Sequence, residues 1–421
     1  MTHPRAAWRG RAGVLALAGL FLVGGPAAAQ PARPFEWQEA RPESQGMSAE
    51  RLNALWKDLE ARRTTGLLII RNDRIVFEKY AAGWDASRPH YTASMAKALV
   101  GGLALALALG DGRIALDDPA AKYIPQWKDD PRKSKITIRH LGSHTSGLDD
   151  SRPNEEAKWK DDFWKRLDPP NDPFTISRDR APVLFEPGTK FHYSNPGIAM
   201  LSYAVTAALK DAPQKDLRTL LRERVMQPIG VPDKEWSVGY GRTFTVDGLP
   251  LVGSWGGGSY TPRATARVAR LMLRGGDWEG KQLVSKEAVR LTTADAGTPG
   301  FGGMGWWSNN ERRYAKLPQD AFWGAGAGHQ VVLIVPSRNL IAVRNGAELR
   351  PQPEFHDALN ADLFEPLMEA ISEAPPKSGA APYPPSRLIA RIDWAPKETI
   401  IRRAPGSDNW PLTWADDGHL Y

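Results

Sequence analysis

The chain is predicted to be an α/β protein of the α+β kind, with an antiparallel sheet flanked by terminal helices and a mostly helical lobe inserted between its strands. Three observations predict this. Two hairpin-like β runs lie far apart, around residues 64–80 and 329–345. Apolar helical segments fill the stretch between them, and a helical segment sits near each end of the part that carries the β runs. Strands from both ends must pair to bury themselves, which leaves the middle as a second lobe and a cleft between the two as the natural place for chemistry.

Each element follows from its pattern. Residues 48–63 place Leu52, Leu55, Trp56 and Leu59 on one face of a helix. "TGLLIIRNDRIVFEKYAAG" has two β-rich runs around Asn72-Asp73, a hairpin signal. "YTASMAKALVGGLALALALG" is uncharged from Ala98 to Leu109, which suits a helix buried on all sides and is too short to span a bilayer; it ends at Gly110-Asp111-Gly112. "EPGTKFHYSNPGIAMLSYAVTAAL" turns into an apolar helix near Pro196, and "SWGGGSYTPRATARVARLML" repeats the design of glycine turn then helix. "AFWGAGAGHQVVLIVPSRNLIAVRNG" gives strands near 329–335 and 340–345, and a helix over 353–371 closes the unit.

The ends of the chain are set apart. Arg5, Arg9 and Arg11 precede the apolar run Val14–Val23 and an A-x-A end before Gln30, so residues 1–29 read as a cleaved signal peptide and the protein is expected to be periplasmic or secreted. Residues 30–375 form the expected main domain. Residues 376–421 are a Pro/Ala-rich linker and a tail, a strand extension or a truncated second module. Three arginines of the leader contribute to a net charge of only +7, which argues for no nucleic acid partner. With no cysteine in 421 residues, disulfides, thiolate metal sites and a thiol nucleophile are excluded.

Ser94 and Lys97 stand one helical turn apart at the mouth of the apolar run, so hydroxyl and amine share a face. Burial would lower the lysine pKa and let it accept the serine proton. An isolated S-x-x-K is commonly an N-cap serine followed by a solvated lysine. Here it is joined by Tyr193-Ser194-Asn195, the one Y-x-N of the chain, and by Gly324-Ala325-Gly326-Ala327. A phenol beside a buried ammonium is expected to ionise more readily, letting Tyr193 share proton transfer with Lys97. Asn195 would bond Lys97 or the substrate.

Together these motifs resemble the serine β-lactamase-like hydrolases, in the branch of class C β-lactamases, family VIII esterases and nylon-oligomer hydrolases. The resemblance runs from about residue 37 to 371 and implies a β-lactamase/penicillin-binding-protein-like fold. It implies Ser94 as nucleophile, Lys97 and Tyr193 as its activators, and an oxyanion hole from the backbone N–H groups of Ser94 and Ala327. Asn195, Gly326, Trp323 and His329 are the expected substrate contacts. Where penicillin-binding enzymes carry K-T-G this chain has G-A-G, which removes a carboxylate anchor and favours a carboxylic ester or short amide as substrate. Trp255, Trp306, Trp307 and Trp323 form either an aromatic wall or core. His140 and His144 have the i, i+4 spacing of a metal pair without an accompanying H-E-x-x-H glutamate; neither metal nor cofactor is expected. The alternatives are a peptidase or β-lactamase-type amide hydrolase, and a catalytically silent, wall-associated penicillin-binding-like protein.

Overall fold

A computed structural model describes residues 35–153, 157–352 and 354–371; the expected leader at 1–29 and the segment 376–421 lie outside the described residues. Seven strands form the central sheet: β1 (Gln38–Glu39), β2 (Thr64–Arg71), β3 (Arg74–Tyr80), β4 (Trp307–Ser308), β5 (Phe322–Gly326), β6 (Gln330–Val335) and β7 (Leu340–Gly346). Their order is β1-β3-β2-β7-β6-β5-β4, antiparallel throughout except for β1, which joins β3 in parallel. The seam between the chain ends is the β2–β7 pair, with Leu68 opposite Val343 and Ile69 opposite Ala342. Asn72 and Asp73 both adopt positive φ, 51° and 60°, as a two-residue hairpin turn requires.

Successive side chains of a strand point to opposite faces, and here both faces are buried. Leu67, Ile69, Trp323, Ala325 and Leu333 face the terminal helices, which supply Leu52, Leu55, Leu59, Leu359 and Leu363. Leu68, Ile70, Phe322, Val332 and Val343 face the Ser94 segment and the helix Pro262–Leu273. Each such leucine withdrawn from water contributes about 1.5–3 kcal/mol, which is why the strands read as near-continuous apolar runs.

The Ser94 segment begins with a tight turn, Ala93–Met95, widens to a π-type turn over Lys97–Gly102 and continues as the α-helix Leu103–Gly110. Ala93–Gly110 is long and apolar enough to cross a membrane by length and composition, but 83% of it is buried inside the protein, as befits a core helix. The helix Asn195–Ala208 packs against it, capped by Ser194, whose Oγ accepts from Gly197 N–H at 2.9 Å. These contacts bring residues 94, 97, 193 and 195 to one place.

Candidate active site

Ser94 follows a residue in an uncommon conformation. Ala93 has φ 49°, a left-handed value that costs an alanine about 1–2 kcal/mol and turns the chain sharply just before the hydroxyl. Lys97 Nζ lies 3.2 Å from Ser94 Oγ, and Tyr193 Oη donates to the same oxygen at 2.9 Å. The lysine is only 4% exposed. It donates to Asn195 Oδ1 at 2.8 Å and to the Trp255 carbonyl at 2.5 Å. A neutral amine has two N–H groups and one lone pair; with both N–H groups so engaged, the lone pair is left for Ser94.

Burial pushes Lys97 down to about 7, and the Asp150 carboxylate opposes that fall. Tyr193 behaves otherwise than the sequence led us to expect. Burial holds its phenol above the ordinary value, reinforced by Asp150 and only partly offset by the Ser94 hydrogen bond and Arg152. The reason is burial itself, which disfavours the charged phenolate more than its neighbours favour it. Tyr193 therefore keeps its proton near neutrality, while Lys97 is partly neutral there.

Asn195 is turned inward: its backbone N–H and Nδ2 both donate to Asp150 Oδ1, each at 3.0 Å, while its Oδ1 serves Lys97. His144 braces the tyrosine. Its ring stacks on Tyr193 with centroids 4.5 Å apart, its Nδ1 accepts from Ser194 N–H at 3.1 Å, and burial lowers its pKa to about 3, so it is neutral. His140 Nδ1 instead accepts from Thr137 N–H and closes a helix cap. The two histidines thus have separate structural duties.

Gly326 ends β5 against the Ser94 turn. A Cβ there would stand 2.7 Å from both Ser94 N and Met95 N and 2.5 Å from Thr92 O, so only glycine permits this approach. The strand end brings Ala327 to the same turn.

The β-lactamase family profile matches residues 52–364. The chain belongs to the β-lactamase family. Among relatives of this hydrolase family, an Escherichia coli O157:H7 protein with the provisional name D-alanyl-D-alanine carboxypeptidase is 24% identical over 400 residues, 78% of this chain and 89% of its own length. The 6-aminohexanoate-dimer hydrolase of Paenarthrobacter ureafaciens is 27% identical over 253 residues, 58% of this chain and 61% of its own. Among solved structures, a family VIII carboxylesterase superposes with a TM-score of 0.59 at 17% identity, covering 79% of this chain and 99% of that one. Such likeness establishes the β-lactamase/penicillin-binding-protein-like fold.

Within this β-lactamase-family fold two expected substrate contacts need correction. Trp323 is fully buried, donating from Nε1 to His356 Nδ1 at 3.2 Å. Strand alternation is the cause: Gly324 and Gly326 face the Ser94 segment, so Trp323 must face the terminal helices. His329 is 5% exposed and stacks on Phe355 at 4.2 Å, on the far side of the β5–β6 turn. Trp255 and Trp306 are core residues too, the former beside Phe163 and Phe174, the latter beside Phe322. Trp307 alone of the four extends the aromatic stack at the site, 6.1 Å from His144 and 6.0 Å from the partly exposed Phe191.

Sequence reasoning missed Asp150, the Trp255 carbonyl and the bracing by His144. It also missed Tyr240, whose ring lies 4.4 Å under the Arg166 guanidinium and whose hydroxyl closes on Gly256. The i, i+4 histidine spacing marks His144, but spacing alone does not show the stack on Tyr193. Nothing in spacing pairs residue 150 with 195 or 240 with 256.

Proposed function

We propose that the protein is an exported serine hydrolase that cleaves a carboxylic ester or short amide through an acyl-enzyme on Ser94. The observation that carries this reading is the convergence of Lys97 Nζ and Tyr193 Oη on one serine oxygen.

Lys97, near half neutral at pH 7, takes the Ser94 proton as Oγ attacks the carbonyl carbon. The carbonyl oxygen becomes an oxyanion held by the N–H groups of Ser94 and Ala327. Tyr193 donates its proton to the departing alcohol or amine and recovers one from Lys97, leaving the acyl group on Ser94. Water then attacks the acyl carbon by the same path in reverse, releasing the acid and the free serine. Asn195 and the Trp255 carbonyl keep Lys97 Nζ placed against Oγ throughout.

The G-A-G of residues 324–326 offers neither ammonium nor hydroxyl to a substrate carboxylate, which supports esters and short amides over β-lactams. The leader pattern of residues 1–29 supports export. The carboxypeptidase-named relative supports a second reading, action on D-alanyl peptides, on a chain of similar extent. Hydrolysis of p-nitrophenyl esters from acetate to octanoate by residues 30–421 and by Ser94→Ala tests the first reading, with a D-alanyl-D-alanine peptide run alongside. Ester turnover lost in Ser94→Ala supports it. Peptide turnover alone would replace it by the second, and failure of a fluorophosphonate to label Ser94 would leave a binding protein.

A further inference from the structure

Arg344 is fully buried in β7, yet no carboxylate touches its guanidinium among the described residues. Its donors go to Thr64 Oγ1 at 3.0 Å and to three backbone carbonyls: Gly328 at 2.7 Å, His329 at 2.9 Å and Ala347 at 2.7 Å. A buried cation paid for only by neutral acceptors is an unfavourable choice for a core position. Burial pulls Arg344 down to about 10, against the more distant charges of Glu348 and Asp362, so it stays protonated at neutral pH.

Two of its four acceptors belong to the three-residue turn Ala327–His329 that joins β5 to β6. That turn is strained as well. Gly328 and His329 take consecutive left-handed conformations, φ 76° and 50°, the second at a residue with a bulky side chain. The turn is held from several sides: Gly328 N–H donates to Glu348 Oε1 at 3.0 Å, Leu349 N–H to His329 Nδ1 at 3.1 Å, and Gln330 Nε2 to the Gly346 carbonyl at 2.5 Å. Strain and a buried charge both work against stability, and both converge on the loop whose first residue is Ala327. Local strain of this kind persists where surrounding contacts over-determine it.

We infer that Arg344 is a positioning residue for the reaction: by clamping the Gly328 and His329 carbonyls it holds the Ala327 N–H toward the carbonyl oxygen of a substrate on Ser94. The inference rests on the acyl-enzyme reading above. It assigns the clamp a role in stabilising the oxyanion, and so in the tetrahedral state rather than in ground-state binding.

The test compares the parent with Arg344→Lys, which keeps the charge and loses the fork, and Arg344→Met, which loses both. Three quantities are read: kcat and KM on a p-nitrophenyl ester, inhibition by an alkylboronic acid that adds to Ser94 Oγ as a tetrahedral anion, and hydrogen exchange of the peptide spanning 322–335. Arg344→Met is expected to lower kcat by about 10²-fold with KM changed less than about threefold, and to weaken boronate binding in parallel, with Lys intermediate. Exchange at residues 327–329 should rise in the same order. A folded Arg344→Met with parental kcat and boronate affinity overturns the inference. Should that variant fail to fold, Arg344→Lys decides: its single ammonium cannot hold the Gly328, His329 and Ala347 carbonyls together with Thr64, and parental kcat, boronate affinity and exchange there would overturn it. An inactive parent that binds no boronate would instead refute the acyl-enzyme reading, and exchange at 327–329 would still decide whether Arg344 orders the turn.

Discussion

One carboxylate oxygen of Asp150 accepts two hydrogen bonds from Asn195, from its backbone N–H and from Nδ2, each at 3.0 Å. The double contact fixes the Asn195 amide so that its Oδ1 meets Lys97, and it places a negative charge where it raises the lysine pKa against burial. Replacing Asp150 by Asn removes the charge and keeps one acceptor. The Lys97 pKa should then fall, moving the acid limb of the ester kcat/KM profile to lower pH, with a loss in kcat of about tenfold from a loosened Asn195. A limb that stays in place would show that Asp150 acts on Asn195 alone.

The pH dependence of the parent should identify the base. With Lys97 pushed down to about 7 and needed neutral, kcat/KM is expected to rise with pH through about 7. Tyr193 is held above its ordinary value and should add no limb in the neutral range. Tyr193→Phe should lower kcat by about 10²–10³-fold while leaving the acid limb where it is. Disappearance of that limb in the phenylalanine variant would make the tyrosine, not the lysine, the titrating group.

Neighbouring residues of β5 should respond in opposite ways. Gly326→Ala inserts a methyl 2.7 Å from Ser94 N, with backbone rather than a yielding side chain in the way, so kcat/KM should fall by about 10²-fold or more. Trp323→Phe leaves the Ser94 face untouched but opens a cavity and strands His356 Nδ1, so stability should drop by about 1–3 kcal/mol with kcat near parental. Paired denaturant melts and ester kinetics check both. A Trp323→Phe enzyme with normal stability and a raised KM would return that tryptophan to the substrate.

Acid should unfold the protein through its buried histidines. Burial lowers His144 and His356 to about 3 and His90 to about 4, from an ordinary 6.5. Between those values and 6.5 the unfolded chain binds protons that the folded chain refuses, so stability rises with pH across that window and is lost as pH falls through it. Urea unfolding at pH 5 is expected to show a deficit on the order of a few kcal/mol relative to pH 7.5, smaller in His144→Gln. Equal stability at the two pH values would contradict the burial of these rings.

Much of the architecture is written in local pattern. Helix 49–61, the Asn72-Asp73 hairpin, the Ser94 helix and the β6–β7 hairpin all rest on periodicity and turn chemistry that the chain carries at each place. Ser94 and Lys97 could be paired because they share a helical turn, whereas Tyr193 joined them through the resemblance of the combined S-x-x-K, Y-x-N and G-A-G motifs to the β-lactamase-like hydrolases. What only the tertiary structure decided is which way groups face and which distant groups they meet. Alternation along β5 sends Trp323 to the terminal helices; the β5–β6 turn carries His329 away from the serine; Asp150, Asn195 and the Trp255 carbonyl meet around one ammonium. The direction of the Tyr193 shift also depended on burial, which no spacing reveals. Short-range order is set by backbone and side-chain preferences within a few residues, whereas facing, desolvation and long-range hydrogen bonds exist only once the chain has closed on itself.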